Sequence, residues 1–330
     1  MKAIVWTKYG PPDGLQLQEI EKPVPKDNEL LIKVHATTVT AGDCEMRRLE
    51  LPLMLSFPMR LYAGFSRPKR LTILGQELSG EVEEVGKDVH AFIKGDQVFG
   101  TTGLGFGAYA EYICLPGEPN DTQGVLAAKP ENLTYEEAAA VPTAGFEALH
   151  FLRQAQIRQG KRVLIVGAGG SIGTFSVQLA RHFGAEVTGV DSGEKLDMLH
   201  SLGANHLIDF TKEDYTNNGE TYDLIIDVVG RHSVTRRLKL LKPDGYYFLA
   251  YAGLSQILVG TWISLTSGKK VKIEASSQKQ EDLVFLKELI EEGKLKPIID
   301  RTYTLEQTAE AHRFAESGQK KGNIAIRVSS

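Results

Sequence analysis

Cysteine is nearly missing from this chain: among 330 residues only Cys44 and Cys114 carry thiols. Two cysteines exclude a disulfide framework and a multi-cysteine metal site as organising principles. Two free thiols suit a reducing compartment, which points to the cytoplasm. A surplus of one charge sign is missing as well. The net charge is -4, which leaves no overall electrostatic footprint for nucleic acid or an anionic membrane. Long apolar runs are absent too. None approaches the roughly 20 residues that span a bilayer, and the apolar stretch from Leu51 to Phe65 is broken by Pro52 and Pro58. The opening Met1-Lys2-Ala3-Ile4-Val5-Trp6 soon turns polar, so no secretory signal is expected. The eight histidines, among them His35, His90, His150, His182, His200 and His206, are scattered without a ligand-spaced pair.

What is present is ordinary for a globular protein: 42% apolar and 24% charged residues. A single core rarely exceeds roughly 250–300 residues, so two domains are expected. The first 120 or so residues read as β-rich, with apolar runs at 3–6, 29–36, 80–85, 97–99 and 109–114 between turn signals. Residues 44–74 break that texture. They mix apolar residues with Arg47, Arg48, Arg60, Arg67, Lys69 and Arg70 and read as a helix or long loop over a surface.

Near Leu133 the pattern changes. Thr134 and Glu137 form a capping-box pair ahead of Ala138-Ala139-Ala140. Strand-like runs at 162–166, 186–190, 206–208, 224–229, 246–249 and 271–274 then alternate with helical stretches, which implies βαβ units and a parallel sheet. A helix over 281–292, with Leu283, Leu286, Leu289 and Ile290 on one face and Gly293 as its stop, precedes another over 305–317 and a last strand at 324–328.

The sharpest signal is Gly167-Ala168-Gly169-Gly170-Ser171-Ile172-Gly173, which follows the apolar run 162–166 and opens a helical stretch over 174–181. Strand, glycine turn and helix in that order are the context of a dinucleotide site. Glycine lets the backbone approach a pyrophosphate, and the helix N-terminus offers N–H groups and partial positive charge. The spacing carries one residue more than strict G-x-G-x-x-G, so the context carries the reading. Asp191 lies about 20 residues on, where a carboxylate suits the ribose 2′-hydroxyl of NAD and repels the 2′-phosphate of NADP. Ser192 and Lys195 close by suit a phosphate instead, although Lys195 also reads as a solvated helix-face charge. NAD and NADP both stay open.

These motifs, taken with Gly75-Gln76-Glu77-Leu78-Ser79-Gly80-Glu81-Val82, Lys94-Gly95-Asp96-Gln97-Val98-Phe99-Gly100, Gly107-Ala108-Tyr109-Ala110-Glu111-Tyr112, Ala138-Ala139-Ala140-Val141-Pro142-Thr143 and Lys320-Lys321-Gly322-Asn323, resemble the medium-chain dehydrogenase/reductase superfamily, specifically its quinone oxidoreductase branch. The resemblance implies an α/β chain. A GroES-like β-rich catalytic domain would span 1–123, a doubly wound Rossmann cofactor domain 124–276, and a C-terminal return to the catalytic domain 277–330, with the active site in a cleft; homodimers or tetramers joined through the cofactor domains are usual, and a homodimer is expected here.

The resemblance also implies where catalytic zinc would sit, and Thr40, Gln76 and Ala139 stand at those positions. They are no substitute for thiolate and imidazole, since catalytic zinc takes about three protein ligands. Without that Lewis acid the better substrate is a quinone or an α,β-unsaturated carbonyl, where hydride adds to a conjugated system. Thr40, Asp43 and Gln76 are expected to line the site, Thr143 and Asn323 to lie near the nicotinamide, and Tyr62 to be either a phenolic donor or a packing tyrosine. Asp43 and Glu77 equally suit bonds to backbone N–H groups or to an Arg within the fold. Glu45 replaces the aromatic or basic side chain usual two residues after the Asp. Two other readings stand beside this one: a broad alcohol or aldehyde dehydrogenase, and a low-turnover dinucleotide-binding sensor.

Overall fold

The computed structural model describes all residues except 50–52, 119–121, 218, 231–233, 251–253, 275 and 330, and the side chains of the described residues apart from 53–55, 254–258 and 265. Pro52 therefore lies outside the described residues. The chain divides into two compact units, Met1–Thr143 with Gln278–Gly293 and Pro297–Ser330, and Ala144–Ser277 with Lys294–Lys296.

Alternating side chains build the first unit, because successive residues of a strand face opposite sides. β1 (Lys2–Trp6) and β2 (Leu15–Glu19) form an antiparallel ribbon. β3 (Glu29–Thr38) is followed by α1 (Ala41–Arg48) and α2 (Leu53–Ala63), then by β4 (Glu77–Val85), β5 (Gln97–Thr101), β6 (Tyr112–Pro116) and β7 (Leu126–Ala128). β3 pairs β4 along one edge, while β6 takes residues 29–33 of its other edge. Leu30, Ile32 and Val34 of β3 meet Leu78, Val82, Val98, Ile113 and Leu115 in one sealed core. Each such side chain, fully buried, contributes about 1.5–3 kcal/mol. α3 (Tyr135–Ala139) starts on the expected Thr134–Glu137 capping box.

The second unit alternates helix and strand: α4 (Pro142–Gln154), β8 (Arg162–Val166), α5 (Ser171–His182), β9 (Glu186–Asp191), α6 (Gly193–Leu202), β10 (His206–Asp209), β11 (Tyr222–Asp227), α7 (Val234–Arg237), β12 (Leu241–Leu249), α8 (Leu254–Thr266) and β13 (Lys270–Lys272). Among the described residues the sheet runs β10-β9-β8-β11-β12-β13, every pair parallel. The order reverses between β8 and β11, and ligands of such sheets sit outside the carboxyl ends at that switch point.

The chain then returns to the first unit with α9 (Gln280–Glu291), β14 (Ile299–Thr304), α10 (Thr308–Glu316) and β15 (Asn323–Arg327). β15 completes the shared edge of β3 at Ala36–Thr38. Leu283, Leu286, Leu289 and Ile290 of α9 are buried as their spacing predicts.

The compact first unit runs through Thr143, since β7 adds to β5 and α3 packs on β3 and β4. Two expectations are corrected. The segment 44–74 is not one helix or loop over a surface. Arg47 of α1 is fully buried, held by the Gly10 carbonyl and the Glu316 carboxylate. Finally, β2 and β14 were not expected. Both are mostly solvent-facing; Leu15-Gln16-Leu17-Gln18 of β2 does alternate apolar and polar residues, but Leu17 is 41% exposed.

Candidate cofactor and active site

The glycine turn leaves β8 and enters α5 at the switch point of the parallel sheet. Gly167 adopts φ +82, and a side chain there would meet Val228 and Val229 at 2.7 Å. Gly173 lies in the first turn of α5, where a Cβ would press within 2.5 Å of the Gly167 and Ala168 carbonyls. These two positions need glycine, one for its backbone angle and both for close approach. Gly170 caps α5 without a side-chain hydrogen bond. A Cβ on it would meet nothing nearer than 3.5 Å, so the space above the helix start is open to a ligand. Ser171 and Ile172 are the first residues of α5, and the dipole and N–H groups of a helix N-terminus suit a pyrophosphate. The cradle therefore fits a dinucleotide.

Asp191, at the end of β9, is 5% exposed. Its Oδ2 accepts from Gly169 N at 2.8 Å and its Oδ1 from Ser192 N at 2.8 Å. Lys195 Nζ lies 3.2 Å from Oδ1. Lys195 is 8% exposed, so it is not the solvated helix-face charge considered from sequence. Its ammonium neutralises Asp191, and the repulsion of a 2′-phosphate expected from a bare carboxylate is correspondingly reduced. Ser192 precedes α6 as its N-cap and makes no side-chain cap bond.

In the first unit a second polar cluster forms where β3 and α1 meet the start of β4. Thr40 caps α1 in a capping box with Asp43. Thr40 Oγ1 lies 2.6 Å from Asp43 Oδ2 and 2.8 Å from Gln76 Oε1. Asp43 is fully buried and also accepts from Gly75 N at 3.0 Å. Burial pushes its carboxyl up to about 6 despite the bonds from Thr40 and Gly75. Glu77 is likewise buried and pushed up to about 7, chiefly by desolvation. It accepts from the Thr38 hydroxyl and from Thr143 N at 2.8 Å. The internal role considered for both carboxyls, bonding backbone N–H groups, is thus realised. Thr143 Oγ1 is buried without a well-formed hydrogen bond, although it stands near Glu77. A buried hydroxyl without a partner is costly unless a ligand satisfies it.

The remaining expected residues separate. Tyr62 is 46% exposed on α2, its hydroxyl donating to the Leu104 carbonyl at 3.1 Å. It is not a core packing tyrosine. Asn323 is buried at the start of β15, and its backbone and side-chain amides both donate to the Ile298 carbonyl. Ala139 is buried in α3. Glu45 is half-buried, and desolvation raises its carboxyl. Thr40, Gln76 and Ala139 present a hydroxyl, an amide and a methyl group, a donor set that does not fit zinc. Among the described residues no group of three His, Cys, Asp or Glu side chains could hold a metal ion.

Two buried networks escaped sequence reading. Beneath Asp43, Tyr109 OH lies 3.1 Å from His312 Nε2, and His312 Nδ1 lies 3.4 Å from both Arg47 Nε and Cys44 Sγ. Burial and the neighbouring guanidinium hold the His312 imidazole down at about 3, so it is neutral. In the second unit Asp227 is fully buried at the end of β11. It accepts from Arg237, from Tyr247 OH at 2.5 Å, and from the backbone of Val229 and Gly230 at 3.1 Å. It thereby shapes the loop facing Gly167. Apart from the backbone of Val229 and Gly230, each partner is distant in sequence or on another element, so spacing alone gives no signal.

Comparison with known proteins agrees with this geometry. The alcohol dehydrogenase GroES-like domain model matches residues 26–120, and the zinc-binding dehydrogenase model matches 202–326. The latter segment contains none of Thr40, Gln76 and Ala139, so its name says nothing of a ligand set here. The chain is 32% identical to quinone oxidoreductase of Sus scrofa, over 94% of this chain and 93% of that one. It is 30% identical to 2-methylene-furan-3-one reductase of Solanum lycopersicum, over 99% of this chain and 79% of that one. The structure of the quinone oxidoreductase from Coxiella burnetii superposes with a TM-score of 0.88 at 30% identity, covering 100% and 99% of the two chains. This chain belongs to the medium-chain dehydrogenase/reductase superfamily, in its quinone oxidoreductase branch.

Proposed function

We propose that this chain is an NAD(P)H-dependent oxidoreductase that delivers hydride to a quinone or an α,β-unsaturated carbonyl without zinc. The observation that carries the reading is the Thr40–Asp43–Gln76 cluster: a hydroxyl and an amide stand at two of the positions the resemblance gives to metal ligands, and the Asp43 carboxyl is bonded to that hydroxyl. Bound NAD(P)H supplies the hydride from its nicotinamide ring. The relatives' names, quinone oxidoreductase and furanone reductase, support a conjugated acceptor.

The chain's own residues have four tasks. Gly167–Gly173 with the start of α5 bind the pyrophosphate. Asp191, Ser192 and Lys195 border the adenosine ribose side. Thr143, anchored by Glu77 through its backbone, offers its unpartnered hydroxyl to the nicotinamide end, with Asn323 nearby. Thr40 manages a proton. A hydroxyl carries one hydrogen, and with Asp43 ionised it goes to Oδ2. With Asp43 protonated, the acid donates into Thr40 Oγ1 and the hydroxyl hydrogen is released toward Gln76 Oε1 or a substrate oxygen. A carboxyl at about 6 changes between these states close to neutral pH. Tyr62, a phenol, is the second candidate donor to test.

We also propose a homodimer joined through the second units, because β13 ends the parallel sheet and Trp262 of α8 is exposed. A reducing, cytoplasmic setting is supported by Cys44 and Cys114, both free thiols. No helix among the described residues is long and apolar enough to cross a membrane.

The test is NADH and NADPH oxidation against a panel of quinones, enones and simple aldehydes. Turnover confined to quinones and enones is the expected result. Preference for simple aldehydes would shift the assignment to a broad alcohol or aldehyde dehydrogenase. Tight cofactor binding with no oxidation by any acceptor would leave the dinucleotide-binding sensor.

A further inference from the structure

α2 turns its amphipathicity inside out. Among its described side chains the buried ones are the small Ser56 and Ala63, while Phe57 and Leu61, one helical turn apart, are 53% and 59% exposed. The chain then folds back on the helix end, with Lys69 N and Arg70 N both donating to the Ala63 carbonyl. This brings Phe65, 67% exposed, against Phe57 with ring centroids 6.5 Å apart. Leu104, 60% exposed, adjoins through the Tyr62 hydrogen bond. Five large apolar or aromatic side chains in one place are more than scattered surface hydrophobics, and such a patch marks an interaction site.

Charge says what the patch meets. Between residues 51 and 76 the sequence has Arg60, Arg67, Lys69 and Arg70 and no Asp or Glu, although the whole chain is net negative at -4. Arg67, Lys69 and Arg70 are exposed and make no ion pair with the described residues. Arg60 NH1 donates to the Phe65 carbonyl at 3.0 Å and its guanidinium lies over Tyr9, so it stays beside the aromatic cluster. An apolar helix face carrying aromatic residues and bordered by cations is the arrangement that lies in the headgroup region of a membrane.

We propose that the exposed face of α2 and the turn from Phe65 to Arg70 dock this enzyme on an anionic lipid bilayer. Phe57, Leu61 and Phe65 enter the acyl boundary, and Arg67, Lys69 and Arg70 meet lipid phosphates. The net charge predicts no membrane affinity; the local separation of charge reverses that prediction for one face.

Co-sedimentation of the full chain with phosphatidylcholine vesicles and with vesicles enriched in phosphatidylserine tests this. Binding is expected to the anionic vesicles, to weaken as salt screens it, and to be slight on phosphatidylcholine alone. The triple variant Arg67→Gln, Lys69→Gln, Arg70→Gln is expected to lose roughly a hundredfold in binding, about 1 kcal/mol per cation. The double variant Phe57→Ser, Phe65→Ser is expected to abolish it. Because the substituted side chains face solvent, the thermal midpoint and the turnover of a short-chain, water-soluble quinone should hold in both variants. Absent or charge-independent vesicle binding would overturn the proposal. So would a drop in the sedimenting mass of the free double variant, which would assign the patch to a second copy. A raised KM for the soluble quinone at unchanged vesicle binding would overturn it too, by assigning the patch to the substrate.

Discussion

Asp191 Oδ2 accepts the backbone N–H of Gly169 at 2.8 Å, tying the end of β9 to the glycine turn after β8. One carboxylate thus shapes the glycine turn, and in the proposed function it borders the ribose where the two cofactors differ. Asp191→Ser is expected to weaken NADH and NADPH binding alike, because Gly169 N loses its acceptor. Release of Lys195 should at the same time raise the NADPH-to-NADH affinity ratio about tenfold, equivalent to about 1.4 kcal/mol. Fluorescence titration with both cofactors reads both effects, and an unchanged ratio would show that Asp191 only anchors the turn.

The turn separates structural from ligand-facing glycines. A methyl at Gly173 would lie 2.5 Å from two backbone oxygens, so Gly173→Ala is expected to shift α5 and lower the thermal midpoint along with cofactor affinity. Gly170→Ala finds 3.5 Å of room and should leave the midpoint in place while lowering cofactor affinity at least tenfold. Equal affinity in Gly170→Ala and the parent would mean that the pyrophosphate does not pass over this residue.

Glu77 gives a pH signature. Its carboxyl lies at about 7 in the fold against an ordinary 4.5. The folded state therefore holds a proton that the unfolded state gives up. That contribution is complete below about pH 4.5 and is lost as pH rises through about 7. Asp43 acts in the same sense between 3.8 and about 6. His312 acts oppositely: held at about 3, it stabilises above pH 6.5 and loses that contribution as pH falls. The difference between parent and Glu77→Gln isolates one group. The variant is expected to gain on the parent from pH 5 to pH 8, by on the order of 5 °C in thermal midpoint at the upper end. A constant difference across that range would contradict the raised carboxyl.

Arg237 and Asp227 are 1% and 0% exposed. Removing one partner of a buried ion pair typically costs about 3–5 kcal/mol, because the other charge stays buried. Arg237→Met is expected to lose that much in denaturant unfolding. Asp227→Asn in the Arg237→Met background should restore part of it by removing the uncompensated charge. Cofactor affinity should fall in Arg237→Met, since Asp227 holds the backbone of Val229 and Gly230 opposite Gly167.

Local sequence determined much of this protein. The run Arg162–Val166, the glycine turn and the helix after it were legible because a buried parallel strand and a phosphate turn use contiguous residues. The Thr134–Glu137 capping box and the apolar face of α9 were legible for the same reason, since their partners lie within a turn or two. β14 was not legible, because this mostly solvent-facing strand, Ile299–Thr304, carries no strict apolar alternation. Only the tertiary structure paired Asp191 with Gly169 and Lys195, buried Arg47 beside His312, and set Arg237 on Asp227. Those residues are long-range or cross-element partners, and their type alone predicts exposure. The fold overrides that prediction by supplying each buried charge with hydrogen bonds that the unfolded chain takes from water.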